Sequence, residues 1–176
     1  MSRIAVMGSA FNPPTLGHKD VIEQALKQCD QVWLVPAFRH AWGKSMAPYP
    51  QRCQMVELFV QDIADPRVSM CAIEHEIASE KPVYSFDLLE ALQARIQPDD
   101  QLLLVIGPDN AAAFDKFYRA SDIRNRWQLL IVKERVSVRS TKIRAALQQH
   151  HSVATMTTPS VAAFLATYPV YGGATL

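Results

Sequence analysis

Short apolar runs and longer amphipathic runs alternate along the chain. The runs "RIAVM" (3–7), "QVWLVP" (31–36), "RVSMCAI" (67–73), "QLLLVIG" (101–107) and "WQLLIVK" (127–133) are compact, apolar and bounded by turn residues, the signature of strands. Between them the apolar positions recur at helical spacing. "GHKDVIEQALKQC" has Val21, Ile22, Ala25 and Leu26, and "PQRCQMVELFVQDI" has Met55, Leu58, Phe59 and Ile63, with Pro50 suited to a first helical turn. "YSFDLLEALQARI" repeats the pattern with Leu88, Leu89 and Leu92. A strand followed by a helix, five times over, predicts parallel strands with right-handed crossovers: a doubly wound, Rossmann-like α/β sheet with helices on both faces. Such sheets take ligands beyond the carboxyl ends of their strands, beside the point where strand order reverses. Two long stretches, "FRHAWGKSMAPYPQ" (38–51) and "IEHEIASEKPVYS" (73–85), carry neither period, and loops of that length in a compact domain are often functional.

Composition narrows the class. At 176 residues, 49% hydrophobic and 20% charged, the chain is long enough for one well-packed domain and short for two. A formal net charge of +1 gives no bulk electrostatic pull toward nucleic acid or an anionic membrane. No 18-residue apolar stretch occurs and the N-terminus lacks the regions of a signal peptide, so a cytoplasmic protein is expected. Cys29, Cys53 and Cys71 are odd in number and widely spaced, which argues against a disulfide framework or a thiolate metal site; buried, reduced residues are expected. The tandem His150 and His151 have no further ligands at metal spacing.

The chemistry concentrates in "GSAFNPPTLGH" (8–18), at the end of the first strand and the start of a helix. Gly8 and Ser9 let the backbone turn sharply, and the amides of such a turn, joined to a helix N-terminus, favour an anion. Thr15 offers a hydroxyl and His18 a ring N–H to phosphate oxygens. Neither G-x-x-x-x-G-K-[ST] nor G-x-G-x-x-G is present. The plainer reading is that His18 caps or packs at the helix start.

"TLGH" (15–18) resembles the (H/T)-x-G-H signature of the nucleotidyltransferase superfamily, and "VRSTKIRAAL" (138–147) resembles its I-S-S-T-x-I-R element, more than a hundred residues later and in the right order. Nearly the whole chain is similar to the nicotinate/nicotinamide mononucleotide adenylyltransferases. "VPAFRHAWGKSMAPYPQRCQMVELF" is similar to their basic loop and following helix, "PVYSFDLLEAL" to Y-[ST]-x-x-T-L, "IGPDNAAAFDKFY" to I-G-x-D…W-[YHK], and "TPSVAAFLATYPVY" to the closing helix.

The resemblance implies a single domain over 1–176, its C-terminal helical part starting at about 139. It implies adenylyl transfer from ATP to a pyridine mononucleotide, with His18 and Thr15 catalytic and magnesium delivered with ATP. Gly8, Ser9, Phe11, Gly17, His18, Gly107, Asp109, Ser140, Thr141 and Arg144 are the implied ATP set. Asn12, Lys44, Ser85, Phe117, Tyr118 and Arg135 are the implied acceptor set, and no resident metal site is implied. Arg52 is expected to salt-bridge within its own helix.

The chain departs from the family pattern at several points. Ser9, Ala10, Asn12 and Phe117 replace the usual Gly, Ser or Thr, Asp and Trp. Arg139 stands where Ser is common, and only "ERVS" separates Lys133 from the second motif. Two alternatives stay open at this level: transfer to another small phosphomonoester, and a degenerate paralogue that binds nucleotide without turning it over.

Overall fold

The structure is a computed structural model that describes residues 1–40 and 46–172. Five strands, β1 (Arg3–Ser9), β2 (Gln31–Pro36), β3 (Val68–Met70), β4 (Gln101–Ile106) and β5 (Gln128–Ile131), form one sheet in the order β3-β2-β1-β4-β5. Every pairing is parallel; Ile4 of β1 lies opposite Gln31 of β2 on one side and Leu102 of β4 on the other. All five predicted strands are present, with the runs at 67–73 and 127–133 trimmed at both ends.

The chain winds outward from β1 through β2 to β3, then returns across the sheet to β4 and β5. The order therefore reverses between β1 and β4, whose carboxyl ends carry Ser9 and Gly107 side by side. That is where such sheets hold ligands.

Helices cover both faces because β1 alternates Ala5 and Met7 toward one core with Ile4 and Val6 toward the other. The first core receives α1 (Leu16–Leu26), α2 (Tyr49–Ile63), α7 (Ser140–Gln148) and α8 (Pro159–Thr167), through Ile22, Phe59, Ile143 and Phe164. The second receives α3 (Glu74–Ile77), α4 (Ser85–Gln93) and α6 (Ala120–Arg126), through Ile73, Phe86, Leu89, Leu92 and Ile123. Each fully buried side chain of this size contributes about 1.5–3 kcal/mol.

Two features differ from the sequence expectation. The stretch 73–85 contains a turn of helix, α3, whose Glu74 is buried. The crossover from β4 to β5 is built from three short pieces: α5 (Pro108–Ala112), a 3-10 turn at Phe114–Lys116, and α6. Cys29 is buried, Cys53 and Cys71 are partly buried, and all three are free thiols held above their ordinary pKa by burial. No helix among the described residues is long and apolar enough to cross a membrane.

Candidate active site

α1 begins on a reciprocal cap. Thr15, with φ −134° and ψ 169°, is its N-cap; its Oγ1 accepts the His18 amide at 3.2 Å, and His18 Nδ1 accepts the Thr15 amide at 2.9 Å. The plainer reading of His18 is therefore correct as far as it goes, since the ring is a capping group. The same bond fixes its chemistry. A backbone N–H can only donate, so Nδ1 holds the lone pair and the neutral ring carries its proton on Nε2.

Burial pushes the His18 pKa down to about 4, so the imidazole is neutral at physiological pH. Phe11 backs the ring, with centroids 4.8 Å apart. Nε2–H points to Ser9 Oγ at 3.2 Å, and the Phe11 amide also donates to that oxygen at 3.3 Å. Ser9 Oγ thus accepts twice and keeps its own proton for the cleft.

Thr15 is directed elsewhere. It is 1% exposed, and its hydroxyl donates to Val138 O at 2.9 Å. Its proton is not presented to a ligand, so Thr15 positions His18 and ties the first motif to the second. Two further contacts complete that tie: Ser140 Oγ donates to Pro13 O at 2.7 Å and Arg144 Nη1 to Asn12 O at 2.8 Å, while the Leu16 amide donates to Met156 O at 2.9 Å, beyond the second motif. Gly17 makes room for it, because a Cβ there would lie 2.5 Å from Val138 O. Two segments more than a hundred residues apart in sequence are one wall in space.

That wall borders a cleft of about 540 Å³ at the reversal point of the sheet. Ser9, Thr15, Gly17 and His18 enter it from the β1–α1 turn, Gly107 and Asp109 from the end of β4, and Ser140 and Thr141 from the start of α7. α7 has no side-chain cap. Its leading amides suit an anion, while the Ser140 hydroxyl is already engaged. Lys133, Arg135 and Arg139 bring three positive charges to the lining, matched in number by Asp20, Asp109 and Glu134.

Of the expected ATP set, three residues stand outside this lining. Gly8 lies in β1 beside Val35, Phe11 is buried behind His18, and Arg144 holds Asn12 O and Thr141 Oγ1.

The expected acceptor residues are more dispersed. Asn12 is buried, its Oδ1 accepting the Ala47 amide at 3.0 Å. Arg135 grips both oxygens of Asp20, at 2.7 and 3.0 Å, on the wall of the cleft with His18; this bond is the main reason Asp20 titrates below the usual carboxylate range. Phe117 packs on Phe114, centroids 4.8 Å apart, and joins the core. Tyr118 is 51% exposed and pairs with Tyr84 at 5.3 Å, beside Ser85 at the head of α4, where a second cleft of about 350 Å³ opens. Lys44 lies outside the described residues.

Arg52 corrects the sequence expectation: it makes no salt bridge within its helix. At 1% exposure, its Nε donates to Ala47 O at 2.7 Å and its Nη1 to Ala10 O and Ala37 O at 2.9 and 2.6 Å. One guanidinium fastens the β1–α1 turn, the end of β2 and the approach to α2. Glu74 does similar work, accepting the Phe38 amide at 3.1 Å; burial pushes its carboxyl up to about 7, against the pull of that amide and of Arg52. Sequence reasoning missed Glu74, and also Asp20 and Gln24, which hold the 133–135 segment; Gln24 exchanges hydrogen bonds with both the carbonyl and the amide of Lys133. The available signal was a polar pair one helical turn apart in α1. Among the described residues no three His, Cys, Asp or Glu side chains gather as a metal site.

A parallel sheet with a phosphate-suited cleft at its reversal point, walled by two linked motifs, defines a nucleotidyltransferase fold. The cytidylyltransferase-like family model matches residues 6–154, and the chain belongs to that family. Its relatives carry it further, into the nicotinate-nucleotide adenylyltransferases. The nicotinate-nucleotide adenylyltransferase of Bacillus subtilis (strain 168) is 30% identical over 137 residues, covering 76% of this chain and 70% of its own. A Vibrio parahaemolyticus crystal structure assigned to the same enzyme is 42% identical, with a TM-score of 0.83 over 94% of this chain and 99% of its own. The nicotinic acid mononucleotide adenylyltransferase of Plasmodium falciparum, solved with NaAD, superposes with a TM-score of 0.77 over 99% of each chain; at 13% identity it speaks for the fold alone.

Proposed function

We propose that the protein joins the adenylyl part of ATP to nicotinate mononucleotide, releasing pyrophosphate and forming the dinucleotide used in NAD biosynthesis. The observation that carries this reading is the His18 ring on the cleft wall at the reversal point, locked by the Thr15 amide so that Nε2 is the donating nitrogen, resting on Ser9 Oγ. An oxygen of the mononucleotide's 5′-phosphate attacks the α-phosphorus. The bond from that phosphorus to the α–β bridging oxygen breaks, and pyrophosphate leaves with the electron pair. No covalent intermediate on the protein and no proton transfer are needed. Catalysis is alignment of two polyanions plus donors aimed where charge develops.

In this reading an α-phosphate oxygen takes the His18 Nε2–H in place of Ser9 Oγ, and the Ser9 hydroxyl donates beside it. The Ser140 and Thr141 amides hold the far end of the triphosphate, Gly107 and Asp109 flank the nucleoside, and Gly17 and Arg144 keep the two motifs in register. Magnesium enters as part of MgATP. Tyr84, Ser85 and Tyr118 form the pyridine side with Phe117 behind them, while Asn12 and Arg135 belong to the approach of the acceptor phosphate.

The test is pyrophosphate release from MgATP with nicotinate mononucleotide, nicotinamide mononucleotide and other small phosphomonoesters in turn. Release that depends on the pyridine mononucleotides, the nicotinate form being used better, supports the reading. Release with another phosphomonoester alone, or binding of ATP with no turnover, overturns it.

A further inference from the structure

Arg139 immediately precedes α7, the helix whose leading amides are free of a side-chain cap. Its guanidinium is held from two directions. Nε and Nη2 donate to the two carboxylate oxygens of Glu134 at 3.1 and 2.9 Å, and Nη2 lies 3.7 Å from Asp109 Oδ2, across the cleft on α5. These contacts therefore link the β5–α7 segment to the end of β4 over the nucleotide cleft, which all three residues line. The side chains of Arg139, Glu134 and Asp109 are 66%, 38% and 90% exposed. Ion pairs this open are weakly held and are exchanged at little cost. The segment beneath them is not loose: Gln24 holds both backbone groups of Lys133, and Asp20 holds Arg135.

We propose that Arg139 is a phosphate-binding residue parked on carboxylates: Glu134 and Asp109 occupy its fork until a triphosphate enters and takes it from them. This rests on the adenylyl-transfer reading of the cleft. The planar fork that now grips Glu134 matches two oxygens of a phosphate equally well, and a phosphate carries more charge than a carboxylate. Its place beside Ser140 and Thr141 assigns it to the end of the triphosphate that leaves as pyrophosphate. As pyrophosphate departs, the two carboxylates recapture Arg139.

The experiment measures dissociation constants by equilibrium dialysis for MgATP, magnesium pyrophosphate and AMP. Arg139→Ser is expected to weaken MgATP and pyrophosphate about 10-fold and AMP less than about 2-fold, the charged hydrogen bonds being partly offset by the pairs they replace. Arg139→Lys, which keeps the charge and loses the fork, falls between. Glu134→Gln is expected to tighten MgATP by about 2- to 5-fold, the range of one exposed ion pair. That gain must vanish in the Arg139→Ser background. A gain that persists there reflects only the general field of a lost carboxylate and overturns the proposal. So does an Arg139→Ser variant that binds MgATP normally, or one that loses AMP as severely. These are binding measurements, so a wild-type protein that binds MgATP but makes no dinucleotide would sink the catalytic reading and leave Arg139 scored on its own result.

Discussion

Replacing His18 separates its two roles, because each ring nitrogen does one of them. Asn places an amide oxygen near the position of Nδ1, where it can accept the Thr15 amide, and has nothing at Nε2. His18→Asn is therefore expected to keep the cap and lose the donor: stability within about 1 kcal/mol of wild type, and kcat lower by about 10²–10³, the cost of removing one oxyanion-type donor. His18→Ala loses both. The cap contributes about 1 kcal/mol and the space left against Phe11 a further 1–3 kcal/mol or so, on top of the same loss of kcat. pH gives an independent check. The folded value of about 4 lies below the ordinary 6.5, so as pH falls the unfolded chain takes the proton first. Native stability is then lost between pH 6.5 and 4 at up to about 1.4 kcal/mol per pH unit. His18→Asn removes that contribution, and urea unfolding of both proteins at pH 8, 6 and 5 should show the stability gap moving in favour of Asn. A folded His18→Asn protein whose kcat stays within a few-fold of wild type would refute the reasoning, since the cap would then be the whole of what His18 does.

Two further variants test the wall and the loop behind the site. Gly17→Ala brings a Cβ to 2.5 Å from Val138 O and 3.2 Å from Thr15 Oγ1 and Val136 O. The segment must retreat and the Thr15–Val138 bond must stretch, so a loss of about 2–4 kcal/mol with weaker MgATP binding is expected; unchanged urea unfolding would contradict it. Glu74 has a folded pKa of about 7 against an ordinary 4.5, so the folded state keeps a proton the unfolded chain releases, and stability falls as pH rises through that window. Glu74→Gln cannot ionise and still offers an oxygen to the Phe38 amide. Its stability relative to wild type should rise by up to about 3 kcal/mol from pH 4.5 to 8, and equal pH profiles for the two proteins would contradict the buried carboxyl.

The strands were legible because a parallel strand buried on both faces must be continuously apolar, and α1, α2 and α4 because each lays one face on a core. The β4–β5 crossover was not, since α5, the 3-10 turn and α6 are each shorter than the span over which a helical period declares itself. Both ends of the site were legible as motifs. What the motifs could not say is where each hydrogen-bonding group points. Thr15 and Ser140 were expected to donate to phosphate, yet their protons go to the carbonyls of Val138 and Pro13. Arg52 was expected to pair with a charge and instead gathers three backbone carbonyls. Main-chain partners brought together by folding leave no mark on residue identity. The opposite holds for His18: its neighbour at i−3 is local, so the cap was foreseeable, while the tautomer that the cap enforces required the folded geometry.

The central claim is that the cleft transfers the adenylyl group of ATP to nicotinate mononucleotide, and labelled phosphorus follows that transfer atom by atom. Incubation with nicotinate mononucleotide and ATP labelled at the α-phosphorus should place the label in the dinucleotide, while label at the γ-phosphorus should appear in pyrophosphate, one for one. Label from the γ position in inorganic phosphate or on the mononucleotide, or α-label that remains in ATP, would contradict it.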